Sequence, residues 1–299
     1  GLGLAGSGGF GGSLEAAATI ADAASGIVEL TVGRDRRDVR GRLLVLDTTG
    51  NSFETGSRIG TATLALVVAP LYVGALSRLA SPHGASTVAL SGLGPYVAAI
   101  AGVGLVGWLF ARSLAGVARC ARRVLEEVRR QLRDRPSPDP ASRALRRASG
   151  APPDYGPCIE TTSRFALRHM VLPGLSAVGI PTLLSLVLRL SESGDKGEIA
   201  VGSVASLIVA ATVAGVLGAL LSASAGGAWG NAKKYIVTGA HGGPLLVDET
   251  GARAENPTFY AAVVGDTVGD PMKDAAVPAV LVLIHMLPVL ALVLLPLFW

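Results

Sequence analysis

Three carboxylates stand at intervals of four residues in the segment GDTVGDPMKD, as Asp266, Asp270 and Asp274. On an α-helix this interval turns each side chain only about 40° from the last, so the three line one face, with Lys273 beside them. Stacked carboxylates repel one another, and Mg²⁺ or Ca²⁺ would compensate them because these ions prefer oxygen ligands. On a soluble helix such a face is usually just solvated. Here it runs directly into an apolar segment, which predicts a functional metal site at a membrane.

Basic side chains in the segment GGAWGNAKKYI supply the opposite charge. A Lys–Lys pair at the end of an apolar helix is often an interfacial anchor that also suits the helix dipole. Beside an acidic helix on the same membrane face, Lys233 and Lys234 instead predict a clamp for a phosphate-rich anion. A third polar cluster consists of Asp22, Glu29, Asp47 and Asn51. Together the clusters indicate a site for a small polyanion carried with Mg²⁺.

The composition places these clusters in a membrane protein. Of the 299 residues, 50% are hydrophobic and only 16% are charged, against about a quarter in a soluble domain. This excess excludes intrinsic disorder and collagen-like or disulfide-rich scaffolds. The two cysteines, Cys120 and Cys158, lie too far apart for a CxxC motif. The pI near 9.3 raises nucleic-acid binding as an alternative, which depends on where the basic residues lie.

Apolar runs predict an all-α fold, a polytopic transmembrane helix bundle with five full spans and a partial N-terminal helix. A bilayer crossing needs about 20 residues of helix, and five runs are long enough. The first apolar run is shorter, as expected if the chain is truncated at its start. We expect a single transmembrane domain over residues 1–299, with a partial span at about 1–28 and full spans at about 57–80, 85–115, 166–190, 199–230 and 272–298.

The basic residues predict the orientation of the bundle. Of the 26 Lys and Arg residues, 23 lie in the segments 15–58, 112–169 and 233–274, which share one side of the membrane if the spans alternate. By the positive-inside rule this side is cytoplasmic. The basic pI therefore reflects topology, and we expect no nucleic-acid partner. The predicted cytoplasmic loops are 31–56, 116–165 and 233–270.

One histidine, His285, lies inside the last predicted span, about three turns beyond Asp274. An ionisable residue within a membrane is a candidate for an ion path. A neutral histidine that is hydrogen-bonded within the bundle is an equally good interpretation.

Several segments together resemble the membrane-bound ion-translocating pyrophosphatases of the proton-pumping type. They are GGAWGNAKKYI, AAVVGDTVGDPMKD, LEEVRRQ, PDYGPCIE and LDTTGNSFETGSRIG, in the family's order. The resemblance implies Mg²⁺-dependent hydrolysis of pyrophosphate on the cytoplasmic side, coupled to pumping of H⁺ or Na⁺ out of the cytoplasm. It also implies a homodimer in a prokaryotic plasma membrane or a vacuolar, acidic-organelle membrane. By this resemblance the chain is the C-terminal portion of a larger bundle, expected to be inactive alone.

The resemblance also implies roles for individual residues. The implied Mg²⁺ ligands are Asp22, Asp266 and Asp270. The implied contacts to substrate are Lys233, Lys234, Lys273 and Asn51. The implied catalytic carboxylates are Asp266, Asp270 and Asp274. The implied ion path includes Asp274 and His285.

The sequence departs from the family at several of these positions. Gly230 stands where the family has a metal-binding Asp, and Ala23 stands where it has Asn. Arg58 replaces a Lys, and His285 replaces a gate Lys, which favours H⁺ because an imidazole relays protons but binds Na⁺ poorly. At the position of Glu54 the family has Ala in potassium-dependent members and Lys in potassium-independent ones. Potassium is therefore a candidate cofactor whose requirement the sequence leaves open.

Two further functions stay open on the sequence. The substitutions at Gly230 and Ala23 motivate a catalytically degraded homologue that keeps a structural or regulatory membrane role. With the resemblance set aside, the same Lys and Asp clusters would also suit a secondary transporter for anions. That function is disfavoured because the sequence shows no inverted repeat.

Overall fold

Helices make up nearly all of the structure, which is a computed structural model. It describes residues 2–31, 37–80, 92–133, 154–191, 196–247, 251 and 253–298. Seven α-helices lie within these residues. They are α1 (Leu2–Thr31), α2 (Arg37–Ala80), α3 (Leu93–Arg133), α4 (Gly156–Ser191), α5 (Lys196–Val237), α6 (Pro257–Pro271) and α7 (Val277–Phe298). A π-helical turn, Met272–Ala276, joins α6 to α7 without a break. The predicted all-α class is thus confirmed.

Four stretches of the described residues are long and apolar enough to cross a membrane: Gly41–Leu79, Leu93–Gln131, Ala200–Val237 and Pro257–Leu294. They contain all or part of four of the five predicted full spans. Helices α1 and α4 cover most of the other two predicted segments, 1–28 and 166–190, but are not among the four. A membrane helix bundle is supported, and the count of five full spans is not confirmed.

The helices extend well beyond the charge-free runs and into the segments predicted as cytoplasmic loops. Part of each segment expected as a loop, 31–56, 116–165 and 233–270, is helical, while residues 134–153 lie outside the described part of the chain. Charge marks where an apolar span ends, but Arg, Glu and Gln are good helix formers and do not end the helix itself. Pairs at helical spacing, such as Arg130 with Glu127 at 2.6 Å and Arg164 with Glu160 at 2.6 Å, support these extensions.

A short β-hairpin connects α5 to α6. After a 3₁₀ turn, Ala240–Gly242, strand β1 (Leu245–Val247) pairs antiparallel with β2 (Arg253–Glu255). Asn256 then begins α6: its side-chain oxygen accepts a hydrogen bond from the Thr258 amide at 2.9 Å, while its Nδ2 donates to the Gly243 carbonyl at 2.7 Å. This buried N-cap ties the first turn of α6 to the hairpin.

Helix α5 is the centre of the bundle and packs against α2, α3, α4, α6 and α7. Its core residues are mostly small or β-branched, which allows several neighbours to approach one helix. At Gly226 the backbones of α5 and α6 approach closely: a Cβ there would lie 2.8 Å from the Gly269 carbonyl oxygen of α6. Backbone contact at this point fixes the register between α5 and α6.

Candidate functional site

The crossing of α5 and α6 pairs residues that follow it on α5 with residues that precede it on α6. One turn beyond the Gly226–Gly269 contact, the ring of Trp229 covers Gly265, where a Cβ would collide with it. The next contact places Lys233 of α5 against Asp266 of α6, and the two side chains form an ion pair. The glycines of the two sequence segments are therefore what allow their charged residues to meet.

Helix α2 brings polar side chains to the other side of α5. Asn51 is buried, and its Nδ2 donates to the Gly227 carbonyl at 3.1 Å and to the Asn231 side-chain oxygen at 2.9 Å. One turn earlier, Asp47 accepts from Lys234 at 2.6 Å. Both members of this pair are largely buried. Asp47 is thus the partner of Lys234, a role that the sequence did not predict.

The π-turn directs Lys273 into the site. Lys273 is buried, and its Nζ donates to Asn51 Oδ1 at 2.6 Å. Three carboxylates surround this ammonium group at a longer range, with Glu54 at 3.6 Å, Asp274 at 3.6 Å and Asp270 at 3.8 Å. π-Helical turns occur frequently at functional sites because they reorient a few side chains within an otherwise regular helix.

The same π-turn separates Asp274 from the two other carboxylates of its segment. Asp266 and Asp270, in α6, line a pocket that Asp274 does not line. Asp274 belongs to the π-turn, which departs from the regular α-helical spacing that relates Asp266 to Asp270. Its carboxylate accepts from Arg58 Nη1 at 2.8 Å. The role of Asp274 beside the other two carboxylates stays a prediction.

Arg58 connects α2 to the π-turn beneath the pocket. Its Nη1 also donates to the Lys273 carbonyl at 2.7 Å, and its Nη2 donates to Glu54 Oε1 at 2.5 Å. Arg58 and Glu54 are both buried. The i,i+4 spacing of Glu54 and Arg58 on one helix could have predicted this pair. The spacing could not predict that Arg58 also binds Asp274 of the π-turn.

One pocket gathers most of the predicted site residues from α1, α2, α5, α6 and the π-turn. Its charged lining contains five carboxylates and three lysines. The lining consists of Ala18, Asp22, Asp47, Asn51, Glu54, Gly230, Lys233, Lys234, Asp266, Asp270 and Lys273. Of the nine residues predicted for the site and ion path, only Asp274 and His285 lie outside this lining.

The pocket has the ligand types that a divalent cation prefers, but its carboxylates are not already arranged around one metal position. Carboxylate oxygens are the ligands that Mg²⁺ prefers, and Asp22, Asp266 and Asp270 all line the pocket. Within the described residues, however, no three His, Cys, Asp or Glu side chains form a group that could hold a metal ion. Gly230 also lines the pocket, and a Cβ there would lie 3.1 Å from Asp266 Oδ1. A metal-binding side chain at this position would therefore point at Asp266.

His285 lies in α7, away from the pocket lining. Its Nδ1 lies 2.7 Å from the Leu281 carbonyl, which can only accept, so a neutral imidazole carries its proton on Nδ1. Its Nε2 is buried and makes no hydrogen bond within the part of the chain that the structure describes. The intrahelical hydrogen bond fits the interpretation of a histidine bonded within the bundle, while the buried acceptor is the kind of group an ion path would use.

Comparison with known proteins gives the family. The model of the family described as inorganic H⁺ pyrophosphatase matches residues 1–294. Pyrophosphate-energized membrane proton pump 3 of Arabidopsis thaliana is 37% identical over 285 residues, which are 93% of this chain and 33% of that protein. A putative K⁺-stimulated pyrophosphate-energized sodium pump of Clostridium tetani is 35% identical over 287 residues, 95% of this chain and 37% of that protein.

A third relative is named as K⁺-insensitive, in contrast to the K⁺-stimulated relative. K⁺-insensitive pyrophosphate-energized proton pump 2 of Moorella thermoacetica is 34% identical over 283 residues, 93% of this chain and 37% of that protein. The chain spans about a third of the length of the curated relatives that it matches. Because the family model covers nearly the whole chain, the chain belongs to the inorganic H⁺ pyrophosphatase family.

Proposed function

We propose that this chain forms part of a membrane pump that hydrolyses pyrophosphate to phosphate with Mg²⁺ and couples the reaction to ion transport. The observation that carries the proposal is the pocket in which Lys233, Lys234 and Lys273 meet Asp22, Asp266 and Asp270. Lysines suit phosphate oxygens and carboxylates suit Mg²⁺, so the pocket supplies both halves of a metal–pyrophosphate complex.

The charge of the pocket supports the Mg²⁺ requirement. Five carboxylates against three lysines leave the lining with a net negative formal charge when all are ionised. A polyanion alone would be repelled by such a lining. Divalent cations that enter with pyrophosphate would carry positive charge into the pocket and offset this repulsion.

Lys233 and Lys234 each have a carboxylate partner that would be exchanged for a phosphate oxygen. Lys233 would leave Asp266, so substrate binding would free a carboxylate oxygen of one proposed Mg²⁺ ligand, and Lys234 would leave Asp47. Asp22, Asp266 and Asp270 would hold Mg²⁺, which would supply positive charge next to the phosphate oxygens. Asp266 and Asp270 orient the attacking water, and Asn51 holds Lys273 toward the substrate.

Ion transport would use groups beneath the pocket. Asp274, paired with Arg58, lies directly beyond Lys273, and His285 lies further along the same continuous helix. A change of charge at the substrate alters the electrostatic potential at Lys273 and at the adjacent Asp274–Arg58 pair. Pumping of H⁺ is favoured over Na⁺ because an imidazole relays protons but binds Na⁺ poorly.

The remaining parts of the proposal concern the setting of the pump. The predominance of Lys and Arg on one side of the spans supports a pocket that faces the cytoplasm. The membrane would be a prokaryotic plasma membrane or that of an acidic organelle, and the active unit would be a homodimer. Since the chain spans about a third of its relatives, we propose that further segments complete the site and that the chain is inactive alone.

The alternative is a degraded homologue with a structural or regulatory membrane role. Gly230 favours it, because this pocket-lining position offers no side-chain oxygen next to Asp266. Such a protein would keep the fold and the Lys–Asp pairs but bind Mg²⁺-pyrophosphate weakly or not at all.

Phosphate release from Mg²⁺-pyrophosphate by vesicles that carry the longest natural form of the chain tests the function. A pH dye inside the vesicles reports pumping. We expect release with acidification in the wild type and neither in Asp270→Asn, which removes one carboxylate charge from the pocket. Full activity in Asp270→Asn, with folding verified, would remove this residue from the mechanism. Absence of both release and analogue binding in the wild type would establish the degraded homologue.

A further inference from the structure

Glu54 is a buried carboxylate that lies between two cations of the site. Its residue surface is 8% exposed. Oε1 accepts from Arg58 Nη2 at 2.5 Å, and Oε2 lies 3.6 Å from Lys273 Nζ. Arg58 is on the same helix, whereas Lys273 is on the π-turn. The Glu54 side chain on α2 therefore faces the Lys273 ammonium group, which reaches the pocket from the π-turn.

Glu54 is the best-placed of the three carboxylates that surround Lys273. The side chains of Asp270 and Asp274 are 48% and 43% exposed, while that of Glu54 is 10% exposed. Water screens an exposed carboxylate, so at similar distances the attraction between Lys273 and Glu54 is the strongest.

The helix on which each carboxylate lies also matters. Asp270 and Asp274 are sequence neighbours of Lys273, so their own contacts with its ammonium group do not join that group to α2. Glu54 and Asn51 are both on α2, one turn apart, and both face the Lys273 ammonium group. They fix the position of this ammonium group at the boundary between α2 and the π-turn.

We propose that Glu54 is a positioning residue that holds the Lys273 ammonium group in the pocket, where it contacts a phosphate oxygen of bound pyrophosphate. The proposal rests on the proposed function. Glu54 acts through Lys273 and does not itself bind substrate. It also keeps Arg58 neutralised, so that Lys273 is free of repulsion from a second buried cation.

The test is calorimetric binding of imidodiphosphate, a non-hydrolysable analogue, with Mg²⁺ to the longest natural form of the protein. The variants are Glu54→Gln, Glu54→Asp, Lys273→Met and the double variant Glu54→Gln with Lys273→Met. Glu126→Gln, at an exposed position of α3, is the matched control for loss of one carboxylate. Thermal unfolding of each variant verifies folding.

We expect Glu54→Gln to raise the dissociation constant about tenfold, as for loss of a charge-assisted contact. Glu54→Asp keeps the charge but shortens the reach, so its affinity should fall between wild type and Glu54→Gln. In the Lys273→Met background, Glu54→Gln should have less than about a twofold further effect, because the two residues act as a unit. The control should bind as the wild type does.

The outcomes separate the role of Glu54 from the function of the site. Wild-type binding with unchanged affinity in Glu54→Gln overturns the positioning role alone. An equal effect of Glu54→Gln with and without Lys273 also overturns it, since Glu54 would then act only on the fold. If Glu54→Gln does not fold, wild-type affinity in Glu54→Asp overturns the proposal. A wild type that does not bind the analogue overturns the proposed function, and the role of Glu54 with it.

Discussion

Gly230→Asp is the substitution that best measures how much of a metal site the pocket retains. A Cβ at Gly230 would lie 3.1 Å from Asp266 Oδ1 and 3.3 Å from Asn51 Nδ2, so its neighbours must move by a few tenths of an ångström. A carboxylate on that Cβ lies about 4 Å from Asp266, where like charges repel by about 4 kcal/mol at an effective dielectric constant of 20. Lys233, paired with Asp266, offsets part of this repulsion. We expect a net loss of about 1–3 kcal/mol without metal.

Mg²⁺ should reverse this loss if the pocket is a metal site. A ligand at one hundred times its dissociation constant stabilises the folded state by about 2.7 kcal/mol, and a tenfold tighter site adds about 1.4 kcal/mol. The assay is thermal unfolding of the purified protein with and without Mg²⁺, at one scan rate because unfolding is expected to be irreversible. The Mg²⁺-induced rise in midpoint should be larger for Gly230→Asp than for the wild type.

Two controls isolate the charge. Gly230→Ala adds the Cβ without a polar group, and Gly230→Asn adds the same shape without the charge. We expect Mg²⁺ to affect both as it affects the wild type. Equal Mg²⁺ shifts in Gly230→Asp, Gly230→Asn and the wild type would refute a metal position beside Asp266. Phosphate release that appears only in Gly230→Asp would show that the natural chain has lost catalysis through this one position.

Two further substitutions test the lysine pair and the helix crossing. Lys234→Ala should weaken pyrophosphate binding and, by leaving Asp47 buried without its partner, cost about 3–5 kcal/mol of stability in thermal unfolding. An unchanged apparent affinity would contradict a phosphate contact at Lys234. Gly226→Ala should separate α5 from α6, since its Cβ would lie 2.8 Å from both the Gly269 carbonyl oxygen and Lys273 Cβ, and so lower analogue affinity in calorimetry. Gly107→Ala is the matched control, because its Cβ would have open space around it. Equal affinities in the two variants would argue that the contact between α5 and α6 does not position the pocket residues.

Much of the architecture follows from local sequence. Long runs without charged residues predict membrane helices because a bilayer offers no partners for charge or for unpaired backbone groups. Four such stretches are long apolar helices in the structure. The helix ends were less predictable: α2 and α3 continue through charged segments, since Arg and Glu end an apolar span without ending a helix.

The composition of the site could also be predicted from sequence, because its residues cluster in short segments of unusual charge. Seven of the nine predicted residues line one pocket. The contact of Asp274 could not be read from its spacing, because the residue lies in the π-turn Met272–Ala276 and its carboxylate accepts from Arg58 of α2. Four-residue spacing in the sequence does not reveal a π-turn, and the contact with Arg58 depends on the packing of another helix.

The sequence by itself determined which charges exist and that apolar helices must carry them to one end of a bundle. Only the tertiary structure decided which polar partner each lysine contacts: Lys233 contacts Asp266, Lys234 contacts Asp47, and Lys273 contacts the Asn51 amide and the Glu54 carboxylate. These pairs join helices that are distant in the chain, and their register depends on the backbone contact at Gly226 and Gly269. Such a contact is a property of two packed surfaces, so it is absent from the periodicity of either segment alone.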